Sequence, residues 1–366
     1  MAHMHLDLEG EFKEMAPIME EHEEPILAKP NVVGMGLSTK IKADRETGDH
    51  CIAVFVSQKL DKSMLRDEDL VPATLGKFKT DVVETGEIFA GALTAADTAK
   101  VEQIVKNLLG NHDLMMRETQ PLPTLLDQEE EMVEEEIRIE LLRQRVRPAM
   151  GGLSIGHYRV TAGTIATAVI DRSAYPGMPQ RYYILSNNHV LANSNNARVG
   201  DPILQPGPVD GGRHPRDTIA HLTRWVNIRF GSGTDISTYP NNFVDAAIAE
   251  ANFHDIRREV YWLGVVHGIG RPRLGEIVCK TGRTSNFTTG VIRAINATVL
   301  VNYGGGRRAK FIRQIMTSRM SAPGDSGSLV CNEKHEAVGL LFAGSSQVTI
   351  CNDIRFVEMQ LGIKIA

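Results

Sequence analysis

Pro323-Gly324-Asp325-Ser326-Gly327-Ser328 sets a serine among glycines, where backbone N–H groups can gather around an oxyanion beside an exposed hydroxyl. A serine hydroxyl is a weak nucleophile until a base takes its proton, so the motif asks for a histidine and an orienting carboxylate elsewhere in the chain. An apolar run, Ile184-Leu185-Ser186-Asn187-Asn188-His189, ends in a histidine, and Phe243-Val244-Asp245-Ala246-Ala247-Ile248-Ala249 sets an aspartate at the head of another. Taken singly, each has an ordinary reading as a turn, a structural histidine or a strand-leading cap. Taken together they are in order, 56 and 81 residues apart, inside one β-rich segment, which points to His189, Asp245 and Ser326 as an acyl-transfer triad. The loop Gly324, Asp325 and Ser326 would then form the oxyanion hole, with the N–H groups of Gly324 and Ser326 as donors.

The order His, Asp, Ser is that of chymotrypsin and differs from that of subtilisin and the α/β-hydrolases. From about Pro148 to Ala366 the chain resembles the trypsin/chymotrypsin-like serine peptidases, nearest in type to the bacterial α-lytic and streptogrisin branch. The motifs are His189, Asp245, Gly324 to Ser328, and Val278-Cys279-Lys280-Thr281-Gly282-Arg283-Thr284 followed by Thr289-Gly290-Val291-Ile292. The resemblance implies two six-stranded β-barrels with the triad in the cleft between them. It also implies a serine endopeptidase working through an acyl-enzyme on protein or peptide substrates. A silent protease-fold scaffold that binds peptides, or an esterase using the same triad, is the alternative.

Departures from the secreted relatives carry information too. Val190, Thr289 and Met320 stand where those proteins have cysteines, and Cys279 keeps its place without its partner. The four cysteines, Cys51, Cys279, Cys331 and Cys351, therefore do not read as a disulfide framework; Cys331 and Cys351 could face each other on neighbouring strands, with reduced, buried thiols expected over a bond between them. Met320 falls at the base of the primary specificity pocket and Phe342-Ala343-Gly344 along its wall, which favours an uncharged, apolar side chain before the scissile bond, with Asp353 the one acid within reach. Phe342 also occupies the position of a serine that supports the catalytic aspartate in relatives, so that support must come from elsewhere.

The elements that would position these residues are short strands: 158–170, 182–186, 201–204 and 246–249 in the first barrel, and 276–280, 289–296, 298–303, 328–331, 337–343 and 348–350 in the second. Residues 1–118 read as a small α/β domain with strands at 31–41 and 50–57 around a turn at Asp44 to Gly48, a third strand at 80–84, and a helix from Thr94 to Gly110. Residues 119–147 read as a helical connector. It is acidic at Glu129 to Glu136 and basic at Arg138 to Arg147, as the helix dipole favours, with an apolar stripe from Met132 to Val146 that must be buried on something. Three domains, 1–118, 119–147 and 148–366, fit a chain of 366 residues that is 42% hydrophobic.

Composition narrows the remaining choices. A net charge of −5 offers no general attraction to nucleic acid, and Arg307-Arg308-Ala309-Lys310 after three glycines reads as a charged hairpin tip. No phosphate loop or zinc spacing is present, and Glu20 to Glu24 read as a solvated helix end, so neither metal nor cofactor is expected. The first seven residues lack the regions of a signal peptide and no apolar run approaches the ~20 residues of a membrane span, so a cytoplasmic protein without membrane contact is expected. A broad protease in that compartment needs restraint, and residues 1–147 are the segment available for it, as latency relieved by a regulatory partner, by homo-oligomerisation or by cleavage.

Overall fold

The computed structural model describes residues 8–42, 45–91, 140–173, 180–233 and 236–365. The helix expected from Thr94 and most of the connector lie outside them. The chain begins with α1 (Phe12–Leu27), β1 (Val32–Lys42), β2 (Arg45–Val56), β3 (Thr74–Leu75), β4 (Phe78–Glu84) and β5 (Ile88–Ala90). Met15, Met19, Ile26 and Leu27 bury one face of α1 against Met35, Leu37, Ile52 and Val54 of the β1–β2 hairpin. Both hairpin strands run further toward their turn than the sequence indicates, to Lys42 and from Arg45.

A first group of strands follows: β6 (Ala149–Gly151), β7 (Ser154–His157), β8 (Gly163–Thr164), β9 (Ala168–Asp171) and β10 (Tyr182–Ser186). The one-turn helix α2 (Asn188–Leu191) comes next, then β11 (Pro202–Leu204), β12 (Thr218–Trp225), β13 (Asn241–Asn242), β14 (Ala247–Ala251) and β15 (Ile256–Val260). The run expected as one strand over 158–170 holds two short ones instead, β8 and β9, while β7 precedes it and, like β12, has no counterpart in the sequence reading. The sheet order is β9-β10-β14-β12-β11-β7, with β8 at one end and the last strand of the chain at the other. Ile155, Ile184, Val190, Ile203, Leu222 and Ala249 fill its interior.

The second group is β16 (Ile277–Gly282), β17 (Asn286–Asn302), β18 (Arg308–Ser318), β19 (Leu329–Asn332), β20 (Ala337–Gly344) and β21 (Val348–Asp353). Pairing runs β16-β17-β18-β21-β20-β19 and back to β16, a closed six-stranded ring. The two strands expected at 289–296 and 298–303 are one, β17. Asn296, at φ 50, sits where the β17–β18 register shifts, so the chain bulges there and continues. The charged tip is shorter than its composition suggests: β18 starts at Arg308, and Lys310 is buried within it. The chain closes with α3 (Ile354–Leu361) and β22 (Ile363–Ile365), which returns to β9 of the first sheet.

Leu185, Val244 and Ile248 from the first sheet meet Leu329, Leu340 and Phe356 from the second part in a shared core, which fixes the two strand groups against each other. The fold is all-β in this region, as expected. The N-terminal sheet is continuous with the second ring through the antiparallel pair β1–β17, and Ala53, Phe55 and Ile88 share a core with Val299, Phe311 and Phe342. Glu23 of α1 accepts a hydrogen bond from Thr298 at 2.8 Å and faces Lys310 at 3.7 Å. The acidic end of α1 is thus not simply solvated; it docks on β17 and β18. Near residue 140 the connector buries Leu142 in the first-sheet core. Among the described residues no helix is long and apolar enough to cross a membrane.

Candidate active site

His189 stands on α2, directly after β10, where the strand stops and one helical turn lifts the ring out of the sheet. Asp245 sits two residues before β14, the strand paired with β10, so strand pairing alone brings the two together. The Nδ1–H of His189 donates to Oδ2 of Asp245 at 2.6 Å, and the backbone N–H of His189 donates to Oδ1 at 3.1 Å. A carboxylate only accepts, so the proton is on Nδ1 and Nε2 is left with its lone pair. That Nε2 is buried and has no hydrogen-bond partner among the described residues.

Ser326 comes from the loop between β18 and β19. The loop is tied to both strand groups: Thr164 N–H donates to the Ser326 carbonyl at 2.8 Å, Thr164 Oγ1 donates to the Gly324 carbonyl at 2.9 Å, and Gly327 N–H donates to Leu341 at 2.8 Å. Gly324 has φ +99, and a Cβ there would stand 2.4 Å from Thr284 Oγ1, so only glycine fits. The backbone N–H groups of Gly324 and Ser326 donate to no acceptor among the described residues. Two unpaired donors flanking a serine hydroxyl are what an oxyanion requires.

Asp325 does not point at the cleft. Its carboxylate lies in the protein, facing Lys280 Nζ at 3.1 Å, and accepts from the N–H groups of Thr284 (2.9 Å), Ser285 (3.1 Å) and Ala322 (2.9 Å) and from the Ser285 hydroxyl. Burial alone would raise its pKa; Lys280 and these donors outweigh that and hold the carboxyl below the usual carboxylate range. Asp325 thus shapes the loop from beneath, and the N–H groups without an acceptor among the described residues belong to its neighbours Gly324 and Ser326.

The support missing from position 342 is supplied by Tyr303. Its hydroxyl donates to Asp245 Oδ2 at 2.7 Å, and burial next to that carboxylate pushes the phenol's pKa well up, so it stays a donor. Tyr303 sits where β17 ends, ahead of Gly304, Gly305 and Gly306, the turn that brings the chain back as β18. Asn352, which accepts from Asp245 N–H at 3.0 Å and donates to Gln314 at 2.8 Å, links the aspartate to the second ring. A hydrogen bond to a buried charge is worth about 1.5–3 kcal/mol, so Tyr303→Phe is expected to lower kcat by about 10–100-fold with KM little changed. Steady-state kinetics on any cleaved peptide would check it.

The expected pocket residues are less alike in role. Met320 is buried among Val278, Ile292 and Leu341 inside the second ring, filling space below the cleft. Phe342 is buried against Phe311, and its carbonyl lies 3.5 Å from Ser326 Oγ. Asp353 caps α3 and pairs with Arg355, which removes it as a pocket acid. Ala343 and Gly344 carry backbone groups to the cleft, and these are already paired: β5 lies antiparallel to them, Ala90 opposite Ala343 and Phe89 opposite Gly344. Ser326, expected to be exposed, is only 3% accessible. Cys331 is opposite Cys279, whereas Cys351 lies in a different core cluster, and all four cysteines are free thiols.

No family model matches the chain. Serine protease 2 of Streptomyces fradiae is 36% identical over 81 residues, a match spanning 22% of this chain and 38% of that protein. Among solved structures, Nocardiopsis protease superimposes with a TM-score of 0.42 at 21% identity, covering 59% of this chain and 97% of that one. Cellulomonas bogoriensis chymotrypsin gives 0.40 at 19% identity, with 59% and 97% covered. Thermobifida fusca protease A gives 0.39 at 15% identity, with 59% and 96% covered. These structural neighbours are bacterial proteases.

Proposed function

We propose that the protein is a serine endopeptidase whose triad is His189, Asp245 and Ser326 and which is kept latent by its own N-terminal region. The observation that carries this reading is the buried Nε2, without a partner among the described residues, of a histidine whose other nitrogen is held by Asp245, beside a glycine-flanked serine whose loop has two N–H donors unpaired among the described residues. Ser326 Oγ attacks a peptide carbonyl, and Nε2 takes its proton and passes it to the leaving amine. Asp245 holds the tautomer throughout, and the N–H groups of Gly324 and Ser326 receive the oxyanion. Water then releases the acyl group by the same steps in reverse. Latency is supported by β5, which takes up the backbone groups of Ala343 and Gly344 that an extended peptide would use. The four free thiols support work in a reducing compartment.

Covalent labelling tests the reading without a known substrate. A Cβ at Gly91 would stand 2.3 Å from Ser326 Oγ, so in Gly91→Val either the hydroxyl turns or the cleft segment shifts. Intact mass after fluorophosphonate treatment is expected to show one adduct on Gly91→Val, formed faster than on the wild type and abolished by adding Ser326→Ala. No adduct on the folded wild type and on folded Gly91→Val alike would overturn the reading of an activated serine.

A further inference from the structure

We infer that Thr284, oriented by Arg283, is a positioning residue whose hydroxyl holds the peptide unit between Pro323 and Gly324 so that the Gly324 N–H faces the cleft. The inference rests on the peptidase reading above and names what keeps one of its two oxyanion donors in place. Its basis is a turn with two available forms. Asp325 N–H donates to the Ala322 carbonyl at 3.0 Å, with Pro323 and Gly324 between them and Gly324 at φ +99, which makes residues 322–325 a type II turn. The same four residues fit the commoner type I turn, with proline in the same place and the glycine at a φ of about −90°. The two forms differ by a rollover of the central peptide. A trans peptide is planar, with its N–H and C=O on opposite sides, so the rollover exchanges which of the two faces the cleft.

Gly324 nitrogen is on the cleft side: it lies 3.8 Å, and Ser326 Oγ 2.3 Å, from the point where a Cβ on Gly91 would stand. The carbonyl of Pro323, the other half of the same peptide, accepts from Thr284 Oγ1 at 2.8 Å. A threonine hydroxyl has one proton to give. Arg283 Nη1, which can only donate, occupies a lone pair of that oxygen at 3.0 Å and leaves the proton committed to Pro323.

Arg283 is fixed in its turn from across the molecule. Its Nη2 pairs with Asp210, between β11 and β12, and both side chains are nearly buried. Asp210 also accepts from the Ser154 hydroxyl of β7. The backbone N–H of Arg283 donates to Thr164 Oγ1 at 3.1 Å, the hydroxyl that itself donates to the Gly324 carbonyl. Asp210, Ser154 and Thr164 belong to the first strand group, Arg283 and Thr284 to the β16–β17 turn of the second, so the direction of this donor depends on the two groups being joined. Valine at 284 would keep the shape and leave the Pro323 carbonyl against a methyl group with no donor. Rolling the peptide over then returns that carbonyl to the cleft, where its dipole repels an oxyanion in place of the lost N–H.

Crystal structures of the full-length wild type, Thr284→Val and Thr284→Ser, with fluorophosphonate labelling rates of each read with and without Gly91→Val, test this. In Thr284→Val the 322–325 turn is expected in its type I form, and labelling of Ser326 is expected to slow by about 10²-fold, the scale of losing one oxyanion donor. Thr284→Ser keeps the hydroxyl and is expected to keep the type II turn and a rate within about threefold of its parent. The pH at which labelling reaches half its maximum reports His189 and is expected to be common to all three, which a general loosening of the site would not preserve. A Thr284→Val protein that keeps the type II turn, or one that rolls over without loss of rate, overturns the inference and leaves the peptidase reading standing. No adduct on the wild type and on Gly91→Val alike overturns that reading, and the inference falls with it.

Discussion

Replacing Asp245 by asparagine is expected to lower turnover by about 10⁴-fold, the scale set by losing the correct histidine tautomer in a triad of this kind. Oδ2 of Asp245 accepts from both His189 Nδ1 and the Tyr303 hydroxyl, and Oδ1 accepts from the His189 backbone N–H. An amide has one acceptor oxygen and one donor NH₂ for these two places. With the oxygen facing the His189 N–H, the NH₂ confronts the ring, and the relief is for the imidazole to move its proton to Nε2. The ring then has no lone pair for the serine proton. The backbone framework is undisturbed, because Asp245 N–H still donates to Asn352. The rate of fluorophosphonate labelling would report the loss. A fall of less than tenfold would mean that the carboxylate does not orient the base, and the assignment of Asp245 would fail.

The three residues proposed as a triad stand out in the sequence because each is announced by its immediate neighbours: an apolar run ending in histidine, an aspartate heading a strand, a serine between glycines. The partners of those residues were not. Tyr303 reaches Asp245 only because β17 and β18 fold back at Gly304 to Gly306, and a tyrosine at the end of a long strand reads like any β-former. One strand was taken for two at Asn296, since a polar residue at positive φ looks like a turn in sequence and is a bulge in the sheet. The strand from Arg308 alternates charge with apolar residues, and its buried Lys310 hid it as a hairpin tip. The docking of β1 on β17 and of β5 on β20 left even less trace. Edge pairing is made by backbone groups that every residue carries, so composition does not encode which edge meets which.

Lys280 shows the same gap from the side of energetics, and its replacement carries the second large expectation. A lysine within Val278-Cys279-Lys280-Thr281 signals a buried partner, and the structure supplies Asp325, both side chains being fully inaccessible. Lys280→Met is expected to destabilise the fold by about 3–5 kcal/mol at neutral pH, the usual result of stranding one buried charge. The sign with pH follows from Asp325. Its folded-state pKa is depressed, so its contribution is present above the ordinary carboxylate value near 4 and is lost as pH falls through the lower folded value. Without Lys280 the carboxyl titrates higher, protonates on acidification and ceases to be a buried unpaired charge. The deficit of Lys280→Met against wild type should therefore be largest at pH 7 and shrink toward pH 4. The double variant Lys280→Met/Asp325→Leu should recover part of the stability, yet not the activity, because Thr284, Ser285 and Ala322 lose the acceptor that holds the loop under Ser326. Urea unfolding at the two pH values measures the first effect, and fluorophosphonate labelling the second. A deficit below about 1 kcal/mol at pH 7, the scale of an exposed pair, would show that the pair is not what fixes the loop under Ser326, and the order of that loop would have to be attributed to the Thr164 and Leu341 contacts alone.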